Sequence, residues 1–198
     1  KHGPLEALFT VDEEVGMVGA NGLQPGFSKG DILINLDSED EGLLFAGCAG
    51  GLDVNVKLEY KDQEPTPEGD IAVRISLTGL RGGHSGMDII LGRANANKQL
   101  VRFLKEAIAS YGARLVHLEG GSARNAIPRE AFALVTIPEA EADGLWEFAS
   151  DFLDTLQTEY KNIEDGISLS LERTDLPKTV IPEEIQDGVI GALDACIN

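Results

Sequence analysis

The sequence has little positive charge, and it lacks long apolar runs. Its 198 residues include 16 Lys and Arg against 34 Asp and Glu, a formal net charge of −18 at pH 7. Nucleic acids and anionic membranes are bound by clustered Lys and Arg, so this charge balance argues against both as partners. No apolar run approaches the roughly 20 residues of a membrane helix, and no basic, apolar signal peptide opens the sequence.

Cysteine is also scarce. Cys48 and Cys196 lie far apart in the sequence, in apolar or small-residue settings. Without a secretory signal, they are expected to be reduced thiols of a cytoplasmic protein. The hydrophobic share of 42% is that of a globular chain, long enough for one sizeable core or two small ones. The sequence shows no internal repeat.

The most informative stretch is an acidic turn at residues 10–16. An apolar run ends there in Asp12, Glu13 and Glu14, and a glycine-punctuated apolar segment follows. This pattern predicts a buried strand over about 6–11 that leads into a turn and a short helix. Adjacent side chains on an extended backbone point opposite ways, so one glutamate can bind a metal while the other faces the water beside it. The alternative is a solvated acidic turn.

A second apolar segment, residues 31–36, also ends in acidic residues. Asp37 follows it directly, and Glu39, Asp40 and Glu41 come next. Two adjacent core strands with carboxylates at the same end form one anionic pocket, which a cation neutralises. We therefore expect Asp37 to bind a metal and residues 39–41 to form a solvated loop.

The first 50 residues offer only these two buried strands. A buried parallel strand needs neighbours on both sides and helices on both faces. Because the sequence also starts at Lys1 and not at Met, we expect a fragment of a longer chain.

The hydrophobic pattern changes from continuous to alternating near residue 51, which predicts a boundary between domains 1–50 and 51–198. From residue 70 the predicted order is β-α-β-β-α-β, the ferredoxin-like arrangement, and Trp146 is expected in its core. The predicted strands are 52–60, 70–80, 113–119, 130–137 and 167–173, and the predicted helices are 93–111, 139–160 and 182–195.

A glycine–histidine loop, residues 79–86 with the sequence GLRGGHSG, lies between a predicted strand and a predicted helix. It lacks the lysine of a phosphate loop, and Ser85 is not in the G-x-S-x-G context of a nucleophile elbow. The remaining interpretation is a flexible loop that presents one imidazole. A histidine among four glycines has little core to fill, so a functional role for His84 is favoured over a structural one.

An asparagine turn, residues 120–128, joins two predicted strands. The amide of Asn125 can donate to a carboxylate or carbonyl oxygen of a ligand. The alternative is an asparagine that caps its own turn.

The segments DEEVGMVGA, INLDSEDEG, GLRGGHSG and GGSARNAIPREAF together resemble the M20 metallopeptidases, most of all their aminoacyl-histidine dipeptidase (Xaa-His dipeptidase) branch. The similarity runs from residue 1 to about residue 137. It implies an α/β catalytic domain with two Zn²⁺ ions and an inserted α+β lid domain that forms homodimers and covers a dipeptide. This chain would hold an α/β slice of the first domain and most of the ferredoxin-like lid.

The resemblance also implies roles for five residues. Glu13 corresponds to the general base, Glu14 to a zinc ligand and Asp37 to the ligand of the second metal. His84 and Asn125 correspond to lid residues that contact substrate. Beside the resemblance, we expect His84 to donate to the developing oxyanion. Because the glycines around it allow close approach to a partner and the predicted sheet leaves an edge strand, we expect it to act in the active site of the other subunit of a dimer. The implied reaction is hydrolysis of dipeptides with C-terminal histidine, such as carnosine.

Several family features are absent from the sequence. The His-x-Asp pair, a bridging acidic residue and a C-terminal histidine ligand are missing, and His2 and His117 lie outside those motifs. The strand at 132–137 also lacks the arginine that many relatives carry. We therefore expect the chain alone to be inactive. The alternative from another class is a dimerisation or peptide-binding module without chemistry.

Overall fold

The computed structural model describes residues 1–38, 40–47 and 50–197. Contacts within the chain divide it into two units, Lys1–Val56 and Lys57–Asn198. The domain boundary near residue 51 stays a prediction. The thiol expected at Cys48 and the loop residue Glu39 lie outside the described residues, whereas Cys196 is a free, exposed cysteine.

The first unit contains one short helix, α1 (Val18–Asn21), and no strand among its described residues. The strands predicted over 6–11 and 31–36 are therefore wrong for this structure, and their apolar side chains are exposed: Phe9 by 91% and Leu36 by 88%. The physical reason is that a buried strand needs hydrogen-bonding neighbours and covering helices. The described part of Lys1–Val56 supplies no neighbouring strand, and its one short helix, α1, has no buried residue.

The segment 52–60 also forms no strand. Its alternating side chains are not packed on a sheet, and Val54 and Val56 remain exposed. Alternation predicts a half-buried strand only where a partner strand lies beside it. No such partner pairs with this segment among the described residues.

The second unit carries the remaining elements. They are β1 (Glu64–Pro65), β2 (Asp70–Thr78), β3 (Gly83–His84), α2 (Ala96–Tyr111), β4 (Arg114–Gly120), β5 (Ala126–Ile127), β6 (Ala131–Pro138), α3 (Ala142–Glu159), β7 (Ser168–Thr174), β8 (Thr179–Val180) and α4 (Glu183–Ala195), with 3₁₀ turns at Ile89–Leu91 and Glu139–Glu141.

Four of these strands form one antiparallel sheet in the order β4-β6-β2-β7. With α2 after β2 and α3 after β6, the chain follows the β-α-β-β-α-β path that the sequence predicts from residue 70. The ferredoxin-like fold of this unit is confirmed. In the described residues β7 pairs only with β2, so β7 is an edge of the sheet.

Helix α2 has its ends marked in the sequence. The Asn95 side chain accepts from Lys98 N at 3.3 Å, and Gly112 takes the left-handed conformation that ends a helix. Leu100, Phe103 and Leu104 lie on its buried face. Full burial of such side chains contributes roughly 1.5–3 kcal/mol each.

The core lies between the sheet and the helices. Val73, Ile75 and Leu77 of β2 are fully buried. The ring centroids of Phe103 and Phe148 lie 5.0 Å apart, a stacked aromatic pair between α2 and α3. Trp146 is partly buried against this core, as the sequence predicts.

Helix α4 adds a polar tie to the sheet. Gln186 is 1% exposed, and its Oε1 accepts from Leu115 N at 2.6 Å. Lys98 Nζ donates to the carbonyls of Leu193 and Asp194 near the end of the helix, at 2.9 and 2.8 Å. In the part of the chain that the structure describes, every helix is too short or too polar to cross a bilayer.

Candidate functional site

The structure brings the glycine–histidine loop and the asparagine turn together. The short strands β3 and β5 pair antiparallel, with His84 opposite Ala126. Ser85 N donates to the Asn125 carbonyl at 2.8 Å. The two segments predicted to contact substrate therefore form one site on the second unit, although 41 positions separate His84 from Asn125 in sequence.

A cleft of about 540 Å³ opens between these two segments. Arg81 lines it from the glycine–histidine loop, and Arg129 lines it from beyond the asparagine turn. Glu119 and Glu130 also line it, so its walls carry both signs of charge.

The imidazole of His84 is held by two backbone amides. Gly86 N and Met87 N donate to its Nδ1, at 3.0 and 3.1 Å. An amide N–H can only donate, so Nδ1 must be the unprotonated ring nitrogen. In the neutral ring the proton is then on Nε2, and the exposed side chain can donate a hydrogen bond to a ligand.

Gly83 is required by the packing of its neighbours. Its φ is +143°, and a Cβ there would lie 2.4 Å from Arg93 Nη1 and 2.5 Å from Asp88 Oδ2. These two side chains occupy the space directly beside the backbone that carries His84.

Asp88 and Arg93 form a hydrogen-bonded group around that backbone. Asp88 Oδ2 accepts from His84 N at 2.9 Å and from Arg93 Nη1 at 3.1 Å. Arg93 Nη1 also donates to the Gly82 carbonyl at 2.7 Å. The site therefore contains two charged residues that the motifs did not indicate.

The start of the glycine–histidine loop is fixed by a buried carboxylate. Glu164 is 6% exposed and accepts from Arg81 N at 2.8 Å and from Ala94 N at 3.0 Å. A Cβ on Gly79 would lie 1.9 Å from the Gly166 carbonyl oxygen, so the two backbones are in direct contact there.

An ion pair adds to this attachment. Arg81 Nη2 lies 3.0 and 3.1 Å from the two carboxylate oxygens of Asp165. These hydrogen bonds favour the ionised form and hold the pKa of Asp165 below its ordinary value.

The acidic turn lies on the first unit. Glu13 and Glu14 are both exposed, and the Glu13 carbonyl accepts from Gly16 N and Met17 N at 3.2 and 3.1 Å. The turn and the short helix after it form as the sequence predicts. The strand predicted over residues 6–11, which would point the two glutamate side chains in opposite directions, does not form.

Asp37 is exposed, and its backbone N donates to Asn35 Oδ1 at 2.8 Å in a local turn. Among residues 1–38, 40–47 and 50–197, no three His, Cys, Asp or Glu side chains gather in a group that could hold a metal. A zinc site needs about four ligands, commonly with imidazole or thiolate among them. The described donor set therefore does not fit a dinuclear zinc centre.

The sequence predicts His84 and Asn125 as residues that contact substrate, and it does not indicate Asp88, Arg93 or Glu164, which the structure places beside them. Asp88 lies only four residues from His84, yet nothing in the sequence shows that its side chain turns back. Glu164 lies 83 positions from Arg81, and only the tertiary fold brings them together.

Comparison with known proteins places these features in a family context. The family model described as the M20 peptidase dimerisation domain matches residues 75–164. The chain is 42% identical to the cytosol non-specific dipeptidase of Escherichia coli (strain K12) over 197 residues. The aligned region covers 100% of this chain and 40% of that protein. The crystal structure of aminoacylhistidine dipeptidase from Vibrio alginolyticus is 44% identical, with a TM-score of 0.76 over 96% of this chain and 38% of that chain.

The resemblance to the M20 peptidases is thereby confirmed, and the sequence similarity continues past residue 137. The chain spans about two fifths of the length of these two relatives.

Proposed function

We propose, starting from the match of residues 75–164 to the M20 peptidase dimerisation domain, that this chain is the substrate-covering part of a dipeptidase. The observation that carries the proposal is the geometry of His84. Two amides fix its Nδ1 as an acceptor, so Nε2–H is available to a ligand. The two relatives above are both named as dipeptidases.

The chemistry of peptide hydrolysis needs such a donor. Negative charge develops on the scissile carbonyl oxygen as water adds to the carbon. A preorganised hydrogen-bond donor at that oxygen contributes about 3–4 kcal/mol to transition-state stabilisation. His84 supplies this bond in the proposed mechanism, and Asn125 binds the substrate from the adjacent turn.

The substrate class is also consistent with the cleft beside His84. A dipeptide at neutral pH carries an ammonium and a carboxylate group. The cleft offers Arg129 to the carboxylate, because Arg81 is already paired with Asp165. It offers Glu119 and Glu130 to the ammonium group. We propose that dipeptides, including those with C-terminal histidine, are the substrates, and that Arg129 takes the place of the arginine missing from strand 132–137.

We propose that a longer enzyme uses the acidic residues Glu13, Glu14 and Asp37 in catalysis and metal binding. There Glu13 is the general base that takes a proton from the attacking water, and Glu14 and Asp37 are ligands of two Zn²⁺ ions. The described part of this chain does not gather a full ligand set, so further ligands must come from outside it. We propose a cytoplasmic location, in keeping with the relative named as a cytosol enzyme.

The proposed assembly is a homodimer through the second unit. The matched domain is described as a dimerisation domain, and β7 is an edge strand able to pair across a two-fold axis. In this arrangement His84 of one subunit completes the active site of the other.

The central test is His84→Ala in the full-length enzyme. We expect kcat to fall at least ~10²-fold, the usual cost of losing such a donor. His117→Ala is the matched control, because His117 is also an exposed histidine of the second unit, and its Nε2 lies 3.2 Å from Glu119 Oε2. Equal kcat in the two variants would overturn the proposal.

Subunit mixing tests action in trans. Inactive Glu13→Gln and inactive His84→Ala enzymes are mixed and allowed to exchange subunits. If His84 acts on its partner's site, each heterodimer regains one intact site. If recovery is absent after exchange is proven by mass spectrometry, the arrangement in trans is wrong.

A further inference from the structure

We infer that Asp88, held by Arg93, is a positioning residue that sets the tautomer and direction of the His84 imidazole. The inference deepens the proposed function, because it assumes that His84 acts through Nε2–H. Neither residue belongs to the set predicted from the sequence.

Asp88 holds His84 through two separate hydrogen bonds. Its Oδ2 accepts from His84 N at 2.9 Å, and its own backbone N donates to the His84 carbonyl at 3.0 Å. Residues 84–88 are thereby closed into a compact turn. Within this turn the amides of Gly86 and Met87 point at Nδ1 of the ring.

Arg93 fixes Asp88 in turn. One of its terminal nitrogens, Nη1, donates to Asp88 Oδ2 at 3.1 Å and to the Gly82 carbonyl at 2.7 Å. A guanidinium NH₂ group has two hydrogens, so both bonds form together. The Arg93 and Asp88 side chains are only 24% and 29% exposed, so their attraction is screened less than that of a surface pair.

The absence of a side chain at position 83 makes this group possible. A Cβ on Gly83 would come within 2.5 Å of both Arg93 Nη1 and Asp88 Oδ2. The charged pair therefore packs directly on the backbone that leads into His84. Asp88 binds the His84 backbone, and the amides of Gly86 and Met87 bind its ring.

The tautomer gives this arrangement its chemical consequence. If the turn loosens, one or both amides leave Nδ1, and the ring proton can reside on either nitrogen. A ring with its proton on Nδ1 presents a bare acceptor at Nε2, which cannot donate to an oxyanion. A residue that only stabilised the fold would have no such effect on the ring.

Tautomer is measured directly in the 198-residue chain by long-range ¹H–¹⁵N correlation NMR of the histidine rings. We expect His84 of the unaltered chain to be a single Nε2–H tautomer at a pH where the ring is neutral. Asp88→Ala should give a mixture of tautomers. Asp88→Asn keeps one oxygen that can accept both bonds, and it should restore the single tautomer.

The matched control is Asp165→Ala. Asp165 also pairs with an arginine of the glycine–histidine loop, but through Arg81, away from the ring. This variant should keep the Nε2–H tautomer. If Asp88→Ala proves unfolded by circular dichroism, Arg93→Met gives the same test, because it removes the guanidinium that fixes the Asp88 carboxylate. An unchanged single tautomer in a folded Asp88→Ala or Arg93→Met chain would overturn the inference.

Kinetics in the full-length enzyme separate this inference from the proposed function. Asp88→Ala should lower kcat. The decrease should not exceed the ~10²–10³-fold that loss of the His84 donor itself costs. In a His84→Ala background it should cause no further loss, because the two residues act as a unit. If the two effects on kcat multiply, the inference is wrong. If His84→Ala leaves kcat unchanged, the proposed function is wrong and the NMR result still stands.

Discussion

Gly86 and Met87 place the ring proton of His84 through their backbone amides. In a hydrolytic triad, a carboxylate accepts from Nδ1–H, and Nε2 is left to accept a proton as general base. In this structure the hydrogen bonds at Nδ1 run the opposite way, because two amide donors face Nδ1 and the ring nitrogen accepts from them. A neutral imidazole in this state is an electrophilic hydrogen-bond donor and not a base. The structure thus favours one of the two chemical roles that a histidine can have.

Gly83 offers a test at the scale of one residue. Gly83→Ala introduces a Cβ within 2.5 Å of Arg93 and Asp88 at a φ of +143°. We expect the free energy of unfolding to fall by roughly 1–3 kcal/mol, the cost of such backbone strain. Urea unfolding of the 198-residue chain measures it.

Gly188→Ala is the control for this substitution. Gly188 lies inside α4, and a Cβ there meets no atom within 4 Å. Alanine should therefore stabilise the helix by roughly 0.5–1 kcal/mol. Equal stabilities of the two variants would contradict the packing described for Gly83.

Glu164 gives a second residue-scale prediction. Its two oxygens each accept from a different backbone amide, those of Arg81 and Ala94. Glu164→Gln leaves one amide facing an NH₂ group, and an unsatisfied buried donor costs roughly 1–3 kcal/mol. We expect a loss of that size in urea unfolding with an unchanged m-value. The exposed Glu147→Gln on α3 should change stability much less, and an equal loss there would contradict the prediction.

At the scale of elements, Arg102 ties α2 to the end of α3. Its Nη1 and Nη2 donate to the two carboxylate oxygens of Glu159, at 2.6 and 2.9 Å. This hydrogen bonding holds the pKa of Glu159 below its ordinary value of 4.5. The Arg102 guanidinium also lies 5.4 Å from the ring centroid of Phe152, so it contacts the core as well.

The contribution of this pair depends on pH. Because the folded-state pKa of Glu159 lies below the unfolded-state value, the stabilisation is present above pH 4.5 and is lost as pH falls through the folded pKa. Both side chains are more than a third exposed, so we expect Glu159→Gln to cost only about 0.2–1 kcal/mol at pH 7. The difference from the unaltered chain should vanish at strongly acidic pH. A difference that stays constant from pH 7 into acid would show that the carboxylate charge is irrelevant.

At the scale of the whole molecule, the acidic excess is spread out and is not gathered into a metal-binding group in the part of the chain that the structure describes. The formal net charge is −18, yet the described residues contain no group of three metal-binding side chains. Glu14 and Asp37 alone offer two carboxylates, a poor zinc site without imidazole or thiolate.

We therefore expect the 198-residue chain to bind Zn²⁺ only weakly. Titration calorimetry should show no stoichiometric binding tighter than micromolar. A chain carrying both Glu14→Gln and Asp37→Asn is the control and should give the same trace. Submicromolar binding that disappears in this double variant would prove the prediction wrong.

The distribution of packing across the molecule explains which predicted elements form. Among the described residues, all buried apolar side chains lie between Ala72 and Ile190. Residues 6–11 and 31–36 are apolar enough for core strands, but strand formation depends on partners that a local pattern cannot supply. Helix α2, in contrast, depends on its own periodicity, the Asn95 cap and the Gly112 terminus.

By itself the sequence determined the four long strands of the sheet (β2, β4, β6 and β7) and the helices α2, α3 and α4, because helical and strand periodicities and helix caps are local. It also placed His84 in a glycine-rich segment and Asn125 in a turn, and it predicted both as residues that contact a ligand. The tertiary structure decided the rest. It pairs β3 with β5, it places the Asp88 carboxylate where it accepts from the His84 backbone, and it buries Glu164 against the Ala94 amide. These features depend on distances between residues remote in the chain or on the direction of single side chains, and neither leaves a periodic signal in the sequence.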